Sequence, residues 1–158
     1  MRRMVAILVL AVAVVLSGVT GAMATDTATV SVSASVSGNC KFVAPKTGAL
    51  AFGSLDPAVG TDVNGTPTQP KFWCTKGTSY TISDDNGLNE SGATYRMMHA
   101  TLTEYIPYTF TYTATGTGAG AGMANYITMN IAGTVLGTDY INASAGNYAD
   151  TVTLTVNP

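Results

Sequence analysis

The stretch from Ala28 to Cys40 reads Ala-Thr-Val-Ser-Val-Ser-Ala-Ser-Val-Ser-Gly-Asn-Cys. Side chains of an extended chain alternate between faces, so Ala28, Val30, Val32, Ala34 and Val36 share one side and Thr29, Ser31, Ser33, Ser35 and Ser37 the other. This pattern predicts a strand with one buried face, and such a strand must find a sheet. Its own sheet and a neighbour's both qualify, and periodicity alone leaves the choice open.

What precedes the strand sets its position. Met1-Arg2-Arg3 is a positive n-region, Met4 to Leu16 an apolar run, and Ala22-Met23-Ala24 a small-x-small cleavage site, which together predict a secretory signal over residues 1–24. A retained membrane anchor is the competing reading, but the run is short of the roughly 20 residues that span a bilayer, and no second run follows. Arg2-Arg3 also fits twin-arginine export, although paired arginines are ordinary in any n-region. Cleavage before Thr25 makes the alternating strand the mature N-terminus, with no membrane span left.

Removing Arg2 and Arg3 from the seven basic residues leaves five against nine acidic ones, a formal charge of −4 that excludes a basic nucleic-acid surface. Charged residues make up only 10% of the chain, and Thr, Ser, Gly, Ala and Val dominate, the composition of many short strands joined by turns. The two cysteines, Cys40 and Cys74, are too few for a zinc site and wrongly spaced for a redox motif. In an exported protein they form a disulfide most simply, closing a loop of about 35 residues worth roughly 4 kcal/mol.

Further strands are expected at Lys41–Val43, Ala49–Gly53, Lys71–Cys74 and Ser79–Ser83, the last with Tyr80 and Ile82 on one face. Others follow around Tyr108–Thr113, with Tyr108, Phe110 and Tyr112 alternating against threonines, then at Met123–Ile131, and at Tyr148 with Val152, Leu154 and Val156 on one face. Residues 59–70 and the Gly/Ala run 115–122 read as loops, and Asp84-Asp85-Asn86-Gly87 and 143–146 as turns. Some seven strands, no helical period and a bridge between early strands imply an all-β, immunoglobulin-like sandwich.

Little in the chain points to chemistry. His99, the only histidine, has no Gly-x-Ser-x-Gly elbow to serve and is expected at the solvent or a sheet edge. Asp84, Asp85, Asn86, Asn89 and Glu90 carry calcium-type oxygens without the EF-hand spacing, so Asn86-Gly87 reads as a hairpin turn. The Gly-rich run lacks the helix and lysine of a phosphate cradle. Sequons stand at Asn64, Asn89 and Asn142. The Tyr108, Phe110, Tyr112 stripe reads as core. No catalytic residue, cofactor or metal ligand is assigned, and no enzymatic activity is expected.

A set of short features in fixed order carries a resemblance. They are the alternating strand ending at Gly38-Asn39-Cys40, Phe52-Gly53 before Asp56-Pro57, and Cys74 before Gly77-Thr78-Ser79-Tyr80-Thr81-Ile82. Asn86-Gly87 with Arg96-Met97, Ile106-Pro107-Tyr108-Thr109-Phe110 and Gly146-Asn147-Tyr148-Ala149-Asp150-Thr151-Val152 complete the set. Together they resemble the spore coat U domain family, which includes the major pilins of archaic chaperone–usher pili. Two places depart from its pattern: residues 115–122 are Gly/Ala where relatives often carry Trp-Gly, and the chain ends Val156-Asn157-Pro158 rather than on an aromatic residue.

The resemblance implies an incomplete sandwich whose missing strand is supplied from outside. A periplasmic chaperone lends it first, and an outer-membrane usher then lets the N-terminal extension of the next identical or related subunit replace it, giving a head-to-tail cell-surface fibre for adhesion or biofilm formation. Carried onto this chain, residues 25–37 are the donor extension, with Ala28, Val30, Val32, Ala34 and Val36 filling pockets, and 38–158 the sandwich. Val152, Leu154 and Val156 line the acceptor groove and the chaperone edge, and Cys40–Cys74 anchors the extension. The alternative is a coat or matrix protein of the same fold without a fibre.

Overall fold

Short alternating segments of the sequence form strands of two to six residues in the computed structural model, which describes residues 25–158. In chain order they are β1 (Cys40–Phe42), β2 (Ala49–Ala51), β3 (Val63–Asn64), β4 (Thr66–Thr68), β5 (Lys71–Cys74), β6 (Ser79–Asp84) and β7 (Tyr95–His99). Then come β8 (Tyr105–Tyr108), β9 (Thr115–Thr117), β10 (Ile127–Thr128), β11 (Thr134–Val135), β12 (Tyr148–Ala149) and β13 (Leu154–Asn157). The signal expected over 1–24 lies outside the described residues.

Residues 25–34 belong to a unit separate from Ser35–Pro158. In the described part of that first unit, residues 25–34, no strand forms and every residue is exposed, Val30 at 80% and Val32 at 92%. Regular pairing of the stretch Ala28–Cys40 thus begins only at Cys40.

The second unit is an all-β sandwich in which every strand pair is antiparallel, arranged as β1-β5-β10, β13-β6-β9, β12-β7-β8, β2-β4 and β11-β3. Alternation places Tyr80 and Ile82 of β6 inward, where they meet Phe72, Cys74, Met129 and Ile131. A second cluster gathers Ile106, Tyr108, Val135 and Tyr140, and Phe110 packs against both. The Tyr108–Thr113 strand begins earlier than expected, at Tyr105, and beyond Tyr108 it continues as single bonds, with Thr109, Thr111 and Thr113 N–H donating to the Thr134, Ala132 and Met129 carbonyls. Cys40 stands directly opposite Cys74 in the β1–β5 register, and a disulfide joins them.

Three sequence expectations are corrected. Residues 59–70 are not a plain loop, because β3 and β4 form there, with Pro67 opposite Leu50. A proline is tolerated on β4 because it is an edge strand whose outer N–H has no ladder to join. Two helical turns occur where none was expected, α1 (Gly137–Tyr140) and a 3-10 turn at Met123–Asn125 that replaces the start of the strand expected over Met123–Ile131; both are too short to carry a 3.6-residue period. The α1 turn points Tyr140 inward, 2% exposed, with its hydroxyl donating to the Thr61 carbonyl at 2.6 Å.

The third is the Gly/Ala run. Thr115–Thr117 is strand β9, paired with β6, and its glycines serve close approach rather than flexibility. A Cβ on Gly116 would meet the Tyr80 ring at Cζ, 2.7 Å away, and one on Gly118 would meet Cys74 Cβ at 2.6 Å. Gly118→Ala therefore overpacks the disulfide corner. Its expected cost is about 1–3 kcal/mol, read as a lower urea midpoint with unchanged slope; an unshifted midpoint would contradict the close packing.

Candidate functional site

The C-terminal segment carrying β12 and β13 and strand β2 face each other across a gap. One wall is Ala49, Leu50 and Phe52; the other is Tyr148 through Val152 with Leu154; and Met97, Tyr108, Phe110 and Ile131 form the floor. This cavity of about 400 Å³ shares Leu50, Phe52, Met97 and Tyr148 with a second of about 680 Å³, which extends the groove to Leu55, Ile106 and Tyr140. Among the described residues, β2 pairs only with β4, β12 only with β7, and β13 only with β6, so each leaves one backbone edge free.

The direction of the free edge follows from the bonds on the other side. Thr151 accepts from Leu88 N–H at 3.1 Å, and Thr153 N–H donates to Asp85 Oδ1 at 2.9 Å. Backbone polar groups of successive strand residues point to opposite sides. The N–H and C=O of Val152, Leu154 and Val156 therefore point away from β6 and its turn, along an open edge. In side chains, Val152 and Leu154 line the groove, whereas Val156 packs half-buried against the Phe72 cluster. Sequence reasoning missed the facing wall at Leu50 and Phe52 and the role of Tyr108 and Phe110 as floor. The Phe52-Gly53 pair was the available signal, because an aromatic residue beside a turn glycine needs something to pack on.

Carboxylates fasten the segments around the groove. Asp84 accepts Tyr112 Oη at 2.6 Å, Tyr95 Oη at 2.8 Å and Asn86 N–H at 2.7 Å. Asp150 accepts Tyr108 Oη at 2.8 Å and both Asn89 N–H and Nδ2. Burial, then the bond to Asp84, pushes the Tyr112 hydroxyl up to about 12, and burial followed by Asp150 raises that of Tyr108. Burial opposes ionisation of Asp84, but the bonds from Tyr112, Asn86 and Tyr95 outweigh it and hold its carboxyl below the ordinary value. A depressed folded value contributes stability above the unfolded value, near 3.8, and loses it as pH falls through the folded one. The denaturation midpoint should thus drop as pH is lowered below about 4, and Asp84→Asn should flatten that drop; an identical pH profile in the variant would contradict it.

His99 is buried at 6% exposure rather than at the surface as expected, and it lies on the central strand of its sheet. Its Nδ1 accepts Thr101 and Leu102 N–H at 3.1 and 3.0 Å, which leaves Nε2–H to donate to the Ala145 carbonyl at 3.3 Å. Both ring nitrogens thus fasten loops 100–102 and 145. The turn oxygens of Asp84 and Asp85 are likewise taken up by Asn86, Gly87 and Thr153 N–H. Among the described residues, no three His, Cys, Asp or Glu side chains gather as metal ligands, and every buried side-chain N or O has a partner.

The family model for the Spore Coat Protein U domain matches residues 26–155. The chain belongs to this family. This Spore Coat Protein U domain is similar in structure to a chain of the CsuC–CsuE chaperone–tip adhesion subunit pre-assembly complex from archaic chaperone–usher Csu pili of Acinetobacter baumannii. The likeness has 20% sequence identity and a TM-score of 0.44, covering 77% of this chain and 40% of that one. A search of curated proteins found no match. Among the described residues of the domain, no helix is long and apolar enough to cross a membrane.

Proposed function

We propose that this Spore Coat Protein U domain is a structural subunit of a surface fibre, joined head to tail by donation of residues 28–36 into the groove of the next copy. The observation that carries the reading is the groove itself: an apolar floor between two strands, each with a free backbone edge. An added strand would bond to the outward N–H and C=O groups of Val152, Leu154 and Val156 while its alternate side chains enter the floor. The segment 28–36 suits that slot. Its apolar series is exposed, and about nine residues at roughly 3.3 Å each span about 30 Å, comparable to the 148–157 edge. Fully burying a valine is worth about 1.5–3 kcal/mol, and Val30, Val32 and Val36 all enter on this register.

In this reading residues 25–37 are the donor extension, 38–158 the body and 1–24 an export signal. The chain passes through the periplasm, where a chaperone strand covers the groove before an usher exchanges it, and it serves at the cell surface in adhesion or biofilm formation. Its role is mechanical rather than catalytic. Because donor and acceptor are different surfaces, the contact does not close on itself and growth continues.

Peptide competition tests the reading. A synthetic peptide of residues 25–37 in excess should stop polymer growth of the purified chain, and the same peptide carrying V32D should be at least about 100-fold weaker, because a buried unpaired carboxylate costs several kcal/mol. Equal inhibition by both peptides, or by neither, would contradict strand donation.

A further inference from the structure

The point where the chain leaves the sandwich is fastened by one side chain that the strand ladder does not require. Register pairing of β1 with β5 ends at Cys40 opposite Cys74. Thr75, the next residue of the loop, carries the attachment further. Its N–H donates to the Asn39 carbonyl at 2.8 Å. Its hydroxyl accepts the Asn39 N–H at 3.1 Å and stands 3.3 Å from the Ser37 carbonyl and 3.4 Å from that of Asn39, to which it can donate. Gly38 fits against Thr78, where a Cβ would come within 2.9 Å of Oγ1 and 3.1 Å of Cγ2. The attachment then stops abruptly: Val36 is 85% exposed.

We propose that Thr75 is a clasp that fixes the point and direction at which the donated strand leaves the body. This inference rests on the strand-donation reading and assigns Thr75 as a positioning residue within it. With Ser37, Gly38 and Asn39 held to the 75–78 turn, the last residue free to enter a neighbour's groove is Val36, and the apolar series 36, 34, 32, 30, 28 follows in register. The disulfide and the Thr75 N–H bond to the Asn39 carbonyl resist separation of the strands but leave residues 37 and 38 able to swing. The hydroxyl of Thr75 removes that freedom. Opening the clasp would free residues 37 and 38, a tether longer by about 7 Å at roughly 3.3 Å per residue, and would turn a fixed joint between neighbouring bodies into a flexible one.

The test compares polymers of the full chain carrying T75V, which keeps the shape and removes the hydroxyl, T75S, which keeps the hydroxyl, and G38A, which displaces the segment without touching Thr75. Amide exchange of Asn39 reads the clasp, and polymer persistence length in electron micrographs reads its positioning role. T75V and G38A should each speed Asn39 exchange about 10-fold, as expected for losing one or two hydrogen bonds. They should also shorten the persistence length at least about two-fold, as a flexible linker does, with T75S close to the native chain on both. Unchanged Asn39 exchange in T75V overturns the clasp. Faster exchange with a native persistence length overturns the positioning role. A native chain that never polymerises overturns strand donation instead, and Asn39 exchange in the unassembled chain then decides whether the clasp exists.

Discussion

Deleting residues 25–36 should abolish polymer formation while leaving a body that binds the 25–37 peptide in trans. The deletion removes Val30, Val32 and Val36, each worth about 1.5–3 kcal/mol on burial, together with the backbone bonds of the added strand. Assembly should fall by well over about 1,000-fold, since each 1.4 kcal/mol is a factor of ten. Sedimentation of the mature and truncated chains, each with and without the peptide, reads the result. Polymers of native length from the truncated chain would mean that the subunits join through another surface. A truncated body that ignores the peptide would mean that the groove between Leu50 and Val152 is not the acceptor.

Replacing both cysteines with serine should give the second large effect. Cys40 and Cys74 are 34 residues apart in sequence and directly opposed on β1 and β5, so the bridge closes a loop in the unfolded chain and adds nothing to the register the strands already hold. On the chain-entropy model its loss costs about 4 kcal/mol, a large share of the stability of a domain this size. Cys74 is fully buried beside Phe72 and Tyr80, so the serine hydroxyl there adds a desolvation penalty. The urea midpoint of the C40S/C74S chain, compared with native chain under oxidising and reducing conditions, checks this. Equal midpoints for native and variant under oxidising conditions would contradict it.

What the sequence showed, and what it concealed, follow from the range of the interactions. Tyr80 and Ile82, and Tyr108 with Phe110, announce their faces because a period of two is a local property of the chain. The corner at Cys40 and Cys74 was legible because a chain read as exported, with only two cysteines, has one simple pairing. Gly116 and Gly118 misled, because a glycine that makes room for Tyr80 or Cys74 looks the same in sequence as one that bends a loop. His99 misled in the same way: its burial depends on Thr101, Leu102 and Ala145 offering partners, and no periodicity records that. Of the groove, the Val152 and Leu154 wall could be read from alternation. The wall at Leu50 and Phe52 could not, because β2 is only three residues long and the groove is a gap between segments far apart in the chain.

A residue-level structure of the assembled fibre tests strand donation most directly, by tracing residues 28–36. They are expected to lie between β2 and the 148–157 edge of a neighbouring copy, with Val30, Val32 and Val36 turned toward Tyr108 and Phe110. Residues 28–36 paired within their own chain, or lying outside a groove that something else fills, would contradict it.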